Sequence, residues 1–293
     1  MIKIVADIPW TGDSLQAETG NNGWLGGSEQ DVNSLRVRLS KRVGYEIPIL
    51  GSIRIGLDEI SEKDFYLIYN FFLLREEVKT RLIYFGNYVI IEHDFKFCPN
   101  RIPGNFPGMK VPEDKILSKD FYSGARTVFC LSENQAKIFK LNMPWLNIQV
   151  LATSFWDDKE LDLLYTLSER PDKSHSFGIY FSPIESKGTK ESMKWCIDNK
   201  ISDYMIIRPS AKKVFLETLS KATCLVFLPK ITESYSRMAA EAKMLGLDVV
   251  YNSNVSFMEE PWLGELKGKE LIAHFKEVLI PGAIEKIYNS LVV

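Results

Sequence analysis

Residues 224–251 read CLVFLPKITESYSRMAAEAKMLGLDVVY, and they hold one full repeat of an α/β fold. CLVFL (224–228) and DVVY (248–251) are short apolar runs bounded by turn residues, which predicts two strands. Between them Met238, Glu241, Ala242 and Leu245 recur at three- and four-residue spacing and so share one face of a helix. Ser234 is a good cap for its first turn and Gly246 a good stop. Strand, helix and strand in succession predict a parallel sheet with helices on its faces.

The same alternation extends in both directions. Towards the amino end lie FGIYF (177–181), a helix over 189–199, YMII (204–207) and a helix over 211–222. A polar segment, SERPDKSHS (168–176), precedes them. The first half repeats the pattern with IKIVADI (2–8), a glycine-rich loop, a helix from Ser28 to Arg42, a strand near 46–50, YLIY (66–69), a helix from Arg75 to Tyr84, YVII (88–91), TVFCL (127–131), the helix ENQAKIFKL and the strand QVLA. From Lys267 onward the chain reads as helix. The expected fold class is α/β, with two doubly wound Rossmann-like domains facing a cleft, over residues 1–153 and 154–293. The last helix is a candidate for packing back on the first domain.

Composition sets limits. The 293 residues are 45% hydrophobic and 25% charged, with a net charge of −2. Lys and Arg number 18 against 18 Asp and Glu up to residue 150, and 18 against 20 beyond it, so neither half carries the excess of a nucleic-acid binder. Cys98, Cys130, Cys196 and Cys224 are too far apart for a metal motif, and three histidines are too few for a metal cluster, so no metal and no cofactor is expected. FYLIYNFFLL (65–74), the longest apolar run, is too short to span a bilayer, and Asp7 spoils MIKIVADIP as a signal peptide. A cytoplasmic location is expected.

Glu241 breaks an otherwise apolar stripe, and a buried carboxylate needs a partner. Arg237, one turn earlier, is one partner; a ligand is the other. In doubly wound domains ligands bind at the loops after strands. Four such loops stand out. GNNGWLGGSEQ (20–30) ends in Gly26, Gly27 and Ser28 at a helix start, where amides can meet a phosphate. EHD (92–94) puts His93 and Asp94 after YVII, where a histidine can bond a hydroxyl or move a proton. SPIESKG (182–188) brings Lys187, a point charge for a phosphate. TESYSR (232–237) supplies Glu233, the amides of Ser234, Tyr235 and Ser236, and then Glu241.

PKITESYSRMAAEAKMLGLDVVYN (229–252) resembles the carboxyl-terminal signature of retaining glycosyltransferases of family 4, which have the GT-B fold. Two glutamates separated by seven residues, then A-x-x-x-G and a strand, match at Glu233, Glu241, Ala242 and Gly246. GGSE, His93-Asp94 and Lys187-Gly188 follow the family's order. The resemblance implies a nucleoside diphosphate sugar as donor. Glu241 would accept from the ribose, Glu233 would bond the sugar's hydroxyls, and Lys187 with the amides of Ser234 to Ser236 would hold the diphosphate. Gly27 belongs to the same donor set. His93, Asp94 and Glu233 are the implied catalytic candidates.

The chain also departs from the family. Ser182 stands where the family's arginine precedes K-G, with Arg208 as the available substitute, and the second half is one strand–helix unit short. No D-x-D motif calls for a metal, so a metal-independent, retaining transfer is implied. The acceptor is expected to be a saccharide or lipid-linked saccharide, held by the first domain, with Trp10, Trp24, Phe97 and Phe106 as stacking candidates. Compact phage enzymes of this fold glycosylate hydroxymethylated bases. That makes DNA the runner-up acceptor, with Arg36, Arg38, Lys41, Arg42 and Arg54 as its basic face. Rivals of other classes are a nucleotide-sugar-binding protein without catalysis and an epimerase.

Overall fold

A computed structural model describes residues 1–9, 11–12, 27–170 and 173–292. The chain divides into two compact units. The first comprises Met1–Thr11, Asp31–Phe155 and Leu279–Val293; the second comprises Gly12–Gln30 and Trp156–Val278.

The first unit is built on six parallel strands, β1 (Ile2–Ala6), β2 (Ile49–Gly51), β3 (Phe65–Ile68), β4 (Tyr88–Glu92), β5 (Val128–Cys130) and β6 (Ile148–Val150). Their order is β2-β1-β3-β4-β5-β6. Helices α1 (Gly27–Val43), α2 (Glu76–Phe85), α3 (Lys119–Gly124) and α4 (Glu133–Asn142) connect them. β3 and β4 are apolar runs because helices cover both faces of a parallel sheet. Tyr66, Ile68, Tyr88 and Ile90 are buried beside Val78 and Leu82 of α2. Phe97 is fully buried, edge-on to Phe139 at 4.8 Å, and Phe106 packs against the same core. Phe97 is therefore core and not a stacking platform for an acceptor.

The second unit has four parallel strands, in the order β10-β9-β7-β8. They are β7 (His175–Tyr180), β8 (Tyr204–Ile207), β9 (Ala222–Phe227) and β10 (Asp248–Tyr251). Its helices are α5 (Asp158–Ser168), α6 (Thr189–Asp198), α7 (Lys212–Leu219), α8 (Arg237–Met244) and α9 (Gly268–His274). α8 is shorter than its sequence suggests. Its first internal bond runs from Ala240 N to Ser236 O, so the helix starts at Arg237 and not at Ser234. The cause is tertiary: the buried Tyr235 ring lies 5.4 Å from Phe257 and 6.4 Å from Trp156, and Ser236 turns into the helix with φ +70°. The other end follows the sequence. Gly246 has φ +78°, its N–H reaches Lys243 O, and Leu247 N reaches Ala242 O.

α9 runs into a π turn over Phe275–Leu279 and then α10 (Ile280–Val292). Pro281 has no N–H to return to the preceding turn, which accounts for the break. α10 belongs to the first unit and packs on β3 and β4. Arg42 of α1 binds Glu285 at 2.5 Å and lies over the Tyr288 ring. No helix among the described residues is long and apolar enough to cross a membrane.

Candidate active site

In the second unit the strand order reverses between β7 and β9, which pair directly. The loops leaving the carboxyl ends of two such strands flank the place where α/β sheets bind ligands. The loop after β7 carries Lys187 and the loop after β9 carries Glu233. Lys187 Nζ binds both carboxylate oxygens of Glu233, at 2.8 and 2.9 Å. The lysine side chain is 34% exposed and the glutamate 15%.

One backbone bond joins the two loops, and further contacts fix each of them in place. Lys230 N donates to Ser186 O. Thr189 Oγ1 donates to Tyr180 O and accepts from Ser182 N. Asn252 and Asn254 both donate to Pro229 O, and Glu233 N donates to Asn254 O. Gly188 has φ +72°, and a Cβ there would fall 1.8 Å from Leu228 O. The glycine after Lys187 thus answers both a left-handed backbone and a close approach of the neighbouring loop.

Glu241 of α8 is 1% exposed. Its Oε1 takes Lys212 Nζ at 2.5 Å and Trp156 Nε1 at 3.0 Å. Arg237 Nε stands farther off, at 3.5 Å. The shorter contact of Arg237 is to Glu160 Oε1, at 2.9 Å, and its guanidinium lies 4.5 Å from the Trp156 ring centroid. Burial alone would raise the Glu241 carboxyl, but Lys212 and Arg237 outweigh it and hold it below the usual range. Burial pushes Glu160 up to about 8.

Arg237 is thus only the minor partner of Glu241. Sequence reasoning missed Lys212, Trp156 and Glu160. Glu160 left a signal, since Asp157 and Glu160 form a capping box at the start of α5, the D-x-x-E pattern that marks a helix start. Arg208, after β8, lies over the exposed Phe181 at 5.1 Å. Ser234, Tyr235 and Ser236 form the loop ahead of α8, with Tyr235 buried.

His93 and Asp94 lie in the first unit. Ahead of them Glu92, fully buried at the end of β4, takes Lys96 Nζ at 2.5 Å and the Tyr122 hydroxyl. Lys96 also reaches Asp94 at 3.0 Å, and Arg101 reaches Asp94 at 2.9 Å. Gln135 Nε2 ties down the carbonyls of Glu92 and Asp94. Burial pushes the Glu92 carboxyl up to about 7 against the pull of Lys96. The His93 ring is 4.2 Å from that of Tyr69, and burial, then the Lys96 charge, brings His93 down to about 3. The imidazole is neutral at physiological pH.

Gly27 is the first residue of α1; the rest of the glycine-rich loop, and with it Trp24, lies outside the described residues, as does Trp10. The basic face suggested for DNA is in part spent internally, because Arg36 pairs with Glu46 and Arg42 with Glu285.

No protein-family profile and no curated protein matches the chain. Solved structures do. The sucrose-phosphate synthase of Thermosynechococcus elongatus gives a TM-score of 0.54 at 11% identity, over 99% of this chain and 98% of that one. HepE of Anabaena, solved in complex with UDP-glucose, gives 0.52 at 12%, over 99% and 91%. The fold is GT-B. The UDP-forming α,α-trehalose-phosphate synthase of Burkholderia vietnamiensis is a further match, at 0.50 and 8%, over 90% and 76%. Both sheets described above, each parallel and doubly wound, are those of a GT-B chain.

Proposed function

We propose that this chain is a metal-independent retaining glycosyltransferase that moves a sugar from a nucleoside diphosphate sugar to the hydroxyl of a saccharide or lipid-linked saccharide. The observation that carries the reading is the Lys187–Glu233 pair, on two interlocked loops at the switch point of the second sheet. Two structural neighbours, one a UDP-forming synthase and one solved in complex with UDP-glucose, are consistent with it.

The donor's diphosphate takes Lys187 in place of Glu233, and Glu233 is released to the hydroxyls of the sugar. Arg208 and the amides of Ser234 to Ser236 add donors to the phosphates, and Glu241 accepts from the ribose. The bond from C1 of the sugar to the diphosphate oxygen breaks, and its electron pair stays on that oxygen. Lys187 stabilises the charge that develops there. The acceptor oxygen joins C1 on the same face, and its proton passes to the departing diphosphate. His93, neutral, serves by hydrogen bonding to a hydroxyl rather than as a cation, while Asp94 and Arg101 hold its loop.

Calorimetry with UDP, GDP, ADP and dTDP tests the donor site. One of the four is expected to bind the wild type, and Lys187→Ala is expected to weaken it by about tenfold or more, as loss of a charge-assisted contact does. Binding of none of them, or an unaffected Lys187→Ala, refutes the reading. A second result separates competition from simple attraction. Because Glu233 occupies Lys187, Glu233→Gln is expected to bind the free nucleoside diphosphate about two- to fivefold more tightly, the scale of a partly exposed ion pair, while losing transfer. Weaker binding of the diphosphate by Glu233→Gln would exclude that competition.

A further inference from the structure

Glu241 is held in an unusual way. Every donor that reaches it from the described residues reaches the same oxygen, Oε1. A buried carboxylate has about four lone-pair sites on two oxygens, and a purely structural ion pair gains most by filling both. The donors are also costly. The Lys212 side chain is 5% exposed at the first position of α7, and Trp156 is fully buried just ahead of α5. Arg237, on the same helix as Glu241, is turned towards Glu160. Two elements remote in sequence thus fix one oxygen and leave the other without a donor among the described residues.

We infer that Lys212, together with Trp156, is a positioning residue that holds Glu241 with Oε2 turned to the ribose of the nucleoside diphosphate. The inference rests on the donor reading given above. Lys212 sets both the rotation of the carboxylate and its charge. The charged groups around it are Lys212 from α7, Arg237 from α8 and Glu160 from α5, with Asp157 next to Glu160. Without Lys212, the buried carboxyls of Glu241 and Glu160 are left with Arg237 as their one cation among the described residues. Glu241 then takes up a proton at a higher pH than in the wild type, because burial is no longer outweighed. Ribose binding, which needs the carboxylate, falls as pH drops through that raised value.

The test uses the nucleoside diphosphate that binds the wild type, titrated near pH 5.5 and pH 8 into the wild type, Lys212→Met and Lys212→Arg. Each variant is compared with the wild type at the same pH, because Glu160 and the terminal phosphate of the ligand also titrate over this range. Lys212→Met is expected to bind about tenfold or more weakly at the lower pH, one unit of pKa being a factor of ten, and to recover part of that at the higher pH. Lys212→Arg, which keeps the charge, is expected to stay close to the wild type at both. A folded Lys212→Met with wild-type affinity at both pH values overturns the inference, as does equal loss in both variants at both pH values. Should Lys212→Met fail to fold, Trp156→Phe removes the second donor and keeps the cation. About a threefold or greater loss of affinity is then expected, the scale of one hydrogen bond, and unchanged affinity overturns the inference. If the wild type binds no nucleoside diphosphate, it is the transferase reading that has failed.

Discussion

Gly188→Ala is expected to destabilise the second unit by about 4 kcal/mol or more, at the far end of single-residue effects. Two costs add. A residue with a side chain has to adopt φ +72°, and its Cβ would lie 1.8 Å from Leu228 O and 2.5 Å from Leu228 C. Both neighbours are backbone, so no rotamer change gives relief. The loop after β7 has to move away from the loop after β9, and Lys187 moves with it. Any Gly188→Ala protein that still folds is therefore expected to lose the Lys187–Glu233 pair and nucleoside diphosphate binding together. Chemical denaturation and calorimetry on the same preparation check this. A midpoint and an affinity both equal to the wild type would show that the two loops are not interlocked.

The second large effect lies in the first unit. Lys96→Met removes the cation from Glu92, both of them buried, and breaking such a pair costs about 3–5 kcal/mol. The loss depends on pH, and its sign is fixed. The Glu92 carboxyl stands at about 7 in the folded protein, above its ordinary value, and burial without Lys96 raises it further. A raised carboxyl favours the folded state below its unfolded pKa and loses that contribution as pH rises through the folded one. Lys96→Met is therefore expected to be less damaging near pH 5 than near pH 8. Denaturant titrations at the two values decide it, and an equal or larger loss at the lower pH would place the stabilisation elsewhere.

The strands were legible in the sequence because parallel strands buried on both faces are bare apolar runs, as YVII and CLVFL are. Gly246 was legible because the left-handed stop of a helix is a local requirement. The start of α8 was not. Ser234 satisfies the local capping rule, but the burial of Tyr235 against Phe257 and Trp156 moves the start to Arg237. α5 escaped because DKELDLLYTLS carries four charges in eleven residues, although its capping box was in view. Among candidate site residues, Lys187 and Glu233 were identified singly, and the structure joins them. Lys212 and Trp156 lie 29 and 85 positions from Glu241, and no periodicity links residues so far apart. Glu92 looked like one end of an EHD tripeptide, and only the fold shows that Lys96, four residues on, turns back to it.

The place of α10 bears on how the protein is made. The first unit is not closed by its own first 155 residues, since Ile280–Val292 supplies the helix that lies on β3 and β4. Lys286 reaches Val150 O and Arg126 reaches Leu291 O across the same join. During translation, that face of the six-stranded sheet emerges from the ribosome and waits for the whole second unit to be synthesised before its cover arrives. At ordinary elongation rates the delay is on the order of ten seconds or more. The four strands of the second unit all lie within its Trp156–Val278 segment, so that sheet can be completed first. The order of maturation would then run against the order of synthesis, and the exposed strands of the first unit are where a chaperone would be needed.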